Sequence, residues 1–127
     1  MKQLTAEDIL VLHAMVIDAT GGSNGVRDPH LLASIAEKPF ASFGRKDLYA
    51  TVWMKAAILF EGLVNYHVFL DRNKPTGFIA SARFLHLYGF TLTSSNSDAV
   101  QTAVAIATKE LSIEALAAWL EANAEPS

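Results

Sequence analysis

A bundle of about six α-helices is the all-α fold that this sequence predicts, and three observations predict it. Apolar residues recur at helical spacing through successive segments. Ser, Thr or Asp stands ahead of most of those segments, placed to cap a helix. No run of convincing length alternates with the period of two that a half-buried strand needs. No repeat of roughly 20–50 residues and no linker divides the 127 residues, so 1–127 reads as a single domain with one core.

The first helix opens at Thr5, with Asp8 as an acidic N3 residue and Leu4 and Ile9 as a hydrophobic staple. Ile9, Leu12 and Val16, flanked by Leu10 and Ile17, form its apolar stripe, and Gly21-Gly22 stops it. His13 lies beside that stripe and reads as a structural residue, packed or half-exposed, rather than a ligand. Ser23 to Arg27 is a turn-rich loop. Asp28-Pro29 places an N-cap and an N1 proline ahead of Leu31, Leu32 and Ile35, a short second helix that Pro39 ends. Phe40 to Asp47 reads as irregular. Its cations Arg45 and Lys46 belong either to a solvated loop tip or to a flap that helps to hold a substrate. The third helix, from about Leu48 to Asn65 or Tyr66, is apolar nearly all round, which marks it as the central one. A fourth runs from Pro75 or Thr76 through Phe78, Ile79, Ala82, Phe84 and Leu85, with Gly89 capping its end and Arg83 on a solvated face. Phe90 to Ser95 connects. Ser97 can cap a fifth helix through Val100, Val104 and Ile106, and Ser112 a sixth carrying Ile113, Leu116, Trp119 and Leu120.

Composition removes several functions. Hydrophobic residues make up 51% of the chain and charged ones 18%, which argues against disorder. A formal charge of -3 leaves no basic footprint for direct nucleic-acid binding. The lack of Cys excludes disulfides, thiolate metal sites and cysteine catalysis, and fits a reducing cytoplasm. The N-terminus has acidic residues before any apolar run, unlike a signal peptide. The most apolar stretch, Leu48 to Val64, carries Lys55 and Glu61, so no membrane role is expected.

One stretch concentrates the chemistry. His67-Val68-Phe69-Leu70-Asp71-Arg72-Asn73-Lys74-Pro75-Thr76 crowds a potential base, a carboxylate, an amide and two cations between two buried helices. A loop that opens a helix offers free N–H groups and the positive dipole end to an anion. Phe69 most simply anchors the loop in the core. Asp71 can hold Mg²⁺, which takes one or two carboxylates plus substrate phosphates. Asn73 can bond phosphate oxygens or fix the loop backbone, and Lys74 is a point charge suited to phosphate. His67 is placed to take a proton from an incoming hydroxyl. Each residue also has a plainer use: His67 as a helix C-cap, Asp71 and Asn73 as turn formers, Lys74 solvated.

The series His67-x-Phe69-x-Asp71-x-Asn73-Lys74 resembles the signature of the Fic/Doc family, and of its death-on-curing branch in particular. Val26-Arg27-Asp28-Pro29, Phe43-Gly44…Asp47-Leu48-Tyr49 and Phe84-Leu85…Tyr88-Gly89-Phe90 extend the resemblance over nearly the whole chain. It implies a helical Fic fold and transfer from a nucleotide to a protein hydroxyl. Most Fic proteins transfer AMP, with Gly where this chain has Lys74 and a second Arg where it has Phe78. Lys74 without that Arg resembles the toxin branch, which implies ATP-dependent phosphorylation of a threonine of elongation factor Tu and a halt in translation. It also implies a cognate antitoxin whose C-terminal helix lies in a groove of the toxin. On this resemblance His67 is the base, Asp71 the Mg²⁺ ligand, and Asn73 and Lys74 bind phosphate.

Two positions depart from the pattern. The family has Arg where this chain has Pro75, and Gly or Ala where it has Arg72. Loss of a guanidinium removes a bidentate phosphate donor, and Arg72 can return some of that charge from a different starting point. The expectation is a toxin-type protein kinase with weakened or altered catalysis. The alternatives are AMP transfer, and a catalytically silent module that binds an antitoxin or another partner.

Overall fold

Residues 2–127 are described by a computed structural model of the chain. Six α-helices carry it: α1 (Ala6–Thr20), α2 (Pro29–Glu37), α3 (Val52–Asn65), α4 (Asn73–Leu87), α5 (Asn96–Ala107) and α6 (Ile113–Ala122). Two short antiparallel pairs complete it, β1 (Ser42–Phe43) with β2 (Lys46–Asp47), and β3 (Phe90–Leu92) with β4 (Ala124–Pro126). The fold is all-α, as expected. No helix among the described residues is long and apolar enough to cross a membrane.

Helix starts follow local capping. Thr5 accepts from the Asp8 N–H at 3.1 Å while Asp8 accepts from the Thr5 N–H at 2.9 Å, a complete capping box. Asp28 caps α2 at the Leu31 N–H, with Pro29 in its first turn. Ser112 caps α6 at the Ala115 N–H.

Three boundaries differ from expectation. α3 starts at Val52 behind the cap Thr51, not at Leu48. Leu48 instead extends the β1–β2 hairpin, its N–H donating to the Ala41 carbonyl. The Phe40–Asp47 segment is therefore not irregular: Phe40 closes a turn of 3-10 helix (Lys38–Phe40), and Ser42 to Asp47 form a hairpin. α4 starts at Asn73, two residues before Pro75, because Pro75 fits inside a first turn where no intrahelical N–H is needed. α5 is capped by Ser95, not Ser97, since Ser95 stands three residues before Asp98 and accepts from its N–H at 3.1 Å.

α3 is the central helix. Nine of its residues, Lys55 to Phe60 and Gly62 to Val64, are buried, and its most extensive packing is with α4 and α6. The α3–α4 crossing is close enough that a Cβ on Gly77 would lie 3.1 Å from Val64 Cγ2 and 3.3 Å from the Phe60 carbonyl oxygen. Burying Phe60, Phe84, Leu59, Leu63, Leu85 and Leu120 completely supplies roughly 1.5–3 kcal/mol for each side chain. That shared core holds the α3–α4 loop in place.

Lys55 is the buried cation of this core. Its ammonium donates to the Tyr49 carbonyl at 2.6 Å, the Pro39 carbonyl at 3.1 Å and the Asp47 carboxylate at 3.2 Å. All three of its donors are used, and they tie the base of the β1–β2 hairpin to α3.

Candidate active site

The loop is built by two anchored residues between exposed ones. Val68 and Phe69 are buried, whereas His67 and Leu70 face outward. α3 ends at Asn65 with Tyr66 as its C-cap, and His67 follows with φ 48. A left-handed residue just past a helix is a frequent way to stop it; the C-cap itself is Tyr66 rather than His67, which follows it with its side chain exposed. Arg72, at φ 62, is the second left-handed residue of the loop and stands immediately before α4. Non-Gly residues hold this conformation only where their surroundings impose it.

Those surroundings come from distant chain. The segment after α1 runs antiparallel to the loop and makes a β-bridge between Val26 and Phe69. Arg27 N–H donates to the Val68 carbonyl at 2.8 Å and Leu70 N–H to the Gly25 carbonyl at 3.0 Å. Gly22, at φ 114, lies against the Asp71 carboxylate, where a Cβ would come 2.5 Å from Oδ2. That conformation and that space admit only glycine. Beneath the loop, His13 is buried and stacked on Phe69 at a centroid distance of 3.8 Å and 6° between planes. Its Nε2 donates to the Asp71 carbonyl at 2.9 Å. His13 is thus a packed structural residue, as its place beside the apolar stripe implied. Its contact with the loop had no signal in the sequence.

Each motif side chain has a definite place. Asn73 closes a ring on the loop, its Oδ1 accepting from the Phe69 N–H and its Nδ2 donating to the Phe69 carbonyl, both at 3.0 Å. Of its two possible uses, this conformation engages it in fixing the backbone. Asp71 accepts from the Ser23 N–H at 3.3 Å and from the Arg72 N–H at 2.9 Å. The Arg72 guanidinium lies 3.3 Å from Asp71 Oδ1 and reaches across to α1, donating from Nε to Thr20 Oγ1 and from Nη2 to the Thr20 carbonyl, each at 3.1 Å. Lys74 and Pro75 are exposed on the first turn of α4. The two ion pairs found among the described residues, Lys55–Asp47 and Arg72–Asp71, leave His67 and Lys74 unused. Arg45 and Lys46 are exposed on the hairpin, and no hydrogen bond or ion pair among the described residues joins them to the loop.

The start of α4 is electrostatically open. α1, α2, α3, α5 and α6 each have a side chain accepting from a first-turn N–H, whereas among the described residues α4 has none. The N–H groups of Asn73 and Lys74 have no acceptor among the described residues, Pro75 has no N–H, and the positive end of the dipole lies at this start. That is the chemistry of an anion site. Asp71 is the loop carboxylate that could share Mg²⁺ with a bound phosphate, and both of its oxygens already have partners, the Ser23 N–H on one and Arg72 on the other. Among the described residues no group of three or more His, Cys, Asp or Glu side chains could hold a metal by itself.

A groove of about 550 Å³ adjoins the loop, lined by Lys74, Pro75, Phe78, Ile79, Ala99 and Val100 among others. Its walls are largely apolar side chains from α4 and α5, with Val100 62% exposed.

The chain is 33% identical over 121 residues, 94% of its own length and 91% of the relative's, to the protein named Toxin Doc of Mycolicibacterium smegmatis (strain ATCC 700084 / mc(2)155). A family model described as Fic/DOC family matches residues 3–85, which contain the whole loop and most of α4. The chain belongs to the Fic/DOC family.

Proposed function

We propose that this protein is a toxin of a toxin–antitoxin system that transfers the γ-phosphate of ATP to a protein hydroxyl, with elongation factor Tu as the target. The observation that carries the reading is that one loop leaves the His67 imidazole exposed, the start of α4 without a side-chain cap and the Lys74 ammonium free. In this reading His67 takes the proton of the target threonine hydroxyl. The hydroxyl oxygen forms a bond to the γ-phosphorus as the bond to the β–γ bridging oxygen breaks, and ADP leaves with that oxygen. The Lys74 ammonium and the backbone N–H groups of Asn73 and Lys74 hold phosphate oxygens, and Asn73 keeps the loop in shape by clasping Phe69. Mg²⁺ held by Asp71 would neutralise phosphate charge when bound.

Pro75 weakens this device without dismantling it. Position 75 is exposed on the first turn, so a guanidinium there would reach the anion site, and proline supplies none. A charge-assisted hydrogen bond made in the transition state contributes roughly 1.5–3 kcal/mol, or about one to two decades of rate. The antitoxin in this reading is a partner whose apolar helix covers the groove of Pro75, Phe78, Ile79 and Val100, and thereby Lys74.

Incubation with Mg²⁺, elongation factor Tu and ATP labelled at the γ or the α position tests the proposal. The expected result is γ-label on the factor, lost in His67→Ala and raised about 10- to 100-fold in Pro75→Arg. Transfer of α-label would replace the proposal with AMP transfer. Absence of both labels, unrelieved by Pro75→Arg, would replace it with a silent binding module.

A further inference from the structure

We infer that Arg72 is the resident counter-ion of Asp71, so that this loop takes up nucleotide with a weakened dependence on a divalent cation. The inference rests on the phosphoryl-transfer reading above and names how its cation site is regulated. Asp71 is the carboxylate of the loop, and its Oδ1 already has a guanidinium 3.3 Å away and a backbone N–H at 2.9 Å. Oδ2 is turned the other way, against Gly22 and the Ser23 N–H. The charge that would attract a metal is therefore partly offset by a half-exposed partner within the loop.

What keeps Arg72 there is a second set of contacts. α1 has no basic residue in its own last turn, and a helix C-terminus carries unpaired carbonyls and partial negative charge. Arg72 supplies the missing cation from 52 residues away, capping the Thr20 carbonyl and bonding the Thr20 hydroxyl. That hydroxyl is itself set by donation to the Val16 carbonyl at 2.7 Å. The planar fork of Arg spans both partners at once, which a Lys ammonium does not do. Its backbone, at φ 62, launches the side chain back toward α1 rather than along α4. A divalent ion arriving at Asp71 meets this charge and must either displace it or bind beside it. A unit charge about 4 Å from a divalent ion shifts its binding constant by roughly thirtyfold in a water-like medium, and side-chain mobility lowers this to about tenfold.

The test measures the affinity of a non-hydrolysable β,γ-imido analogue of ATP with saturating Mn²⁺ and with chelator. It compares the unaltered protein with Arg72→Gln and Arg72→Gly. Gln keeps hydrogen-bonding capacity without charge, and Gly adopts positive φ without strain. The expected result is that Mn²⁺ improves binding only a few-fold in the unaltered protein, and about tenfold more than that in both variants. Adding Asp71→Asn to Arg72→Gln should abolish the gain. An equal Mn²⁺ effect in all three proteins would overturn the role of Arg72 while leaving the nucleotide reading intact. A gain in Arg72→Gly alone would also overturn it, by tracing the effect to the backbone. Failure of the analogue to bind any of the three, with or without Mn²⁺, would overturn the nucleotide reading and the inference together.

Discussion

Asn73→Asp sets two physical effects against each other, and the loop decides the sign. Asn73 is the first residue of α4, where a carboxylate gains about 0.3–1 kcal/mol from the helix dipole. On helix grounds alone the variant is stabilised. The side chain, however, donates from Nδ2 to the Phe69 carbonyl at 3.0 Å, and Phe69 is 1% exposed. A carboxylate keeps the acceptor for the Phe69 N–H but faces the carbonyl with a second acceptor. The lost hydrogen bond costs about 0.5–1.5 kcal/mol, and the carbonyl left without a donor about 1–3 more. The net expectation is a loss of roughly 1–3 kcal/mol at pH 7, or about 4–11 °C in Tm for a chain of this length. Urea unfolding followed by far-ultraviolet circular dichroism measures it. The introduced carboxyl is disfavoured when charged, so its folded pKa lies above its unfolded one. The deficit is then full at neutral pH and shrinks as acid protonates the group and restores a donor. A variant as stable as the parent at pH 7 would refute the clasp, and Asn73 would be free for a ligand.

Two further substitutions probe the scaffold that presents the loop. Gly77→Val places methyls against Val64 and the Phe60 backbone, where a Cβ alone would already be 3.1–3.3 Å from its neighbours. Urea unfolding should show a loss of about 2–4 kcal/mol, because the backbone oxygen cannot move aside; a loss below about 0.5 kcal/mol would mean that α3 and α4 separate easily. Lys55→Met leaves the Pro39 and Tyr49 carbonyls and the Asp47 carboxylate without their shared donor. Faster amide exchange in residues 41–49 than in α4 is expected, together with a loss of about 1–3 kcal/mol. Uniform exchange across the chain would show that Lys55 does not hold the hairpin.

The parts of this fold that were legible in the sequence are those set by contacts three or four residues long. Thr5 with Asp8, Asp28 with Pro29, and Ser112 ahead of Ile113 mark helix starts because a cap bonds an N–H two or three residues on. At α5 the sequence points to Ser97, whereas Ser95, three residues before Asp98, is the cap, because the apolar periodicity does not mark which serine meets a free N–H. Leu48 looked helical because it continues the apolar run of α3. Its N–H is committed to Ala41, a pairing that periodicity does not encode.

The site divides in the same way. Its residue types and their crowding into His67–Thr76 were visible as chemistry, and the family resemblance rested on them. Their conformations were not, because each depends on chain brought from far away. His13 reaches Asp71 across 58 positions, Ser23 reaches it across 48, and Arg72 finds Thr20 across 52. By itself, then, the sequence determined an all-α fold, where three of its six helices begin, and a ten-residue stretch in which a candidate site's residue types crowd together. Tertiary structure alone decided that Asn73 clasps Phe69, that Arg72 turns back onto Asp71 and α1, and that His67 and Lys74 stay exposed. The physical reason is that caps and apolar stripes are short-range and survive in any fold. The partner of a loop side chain is whichever distant backbone the packed core delivers to it.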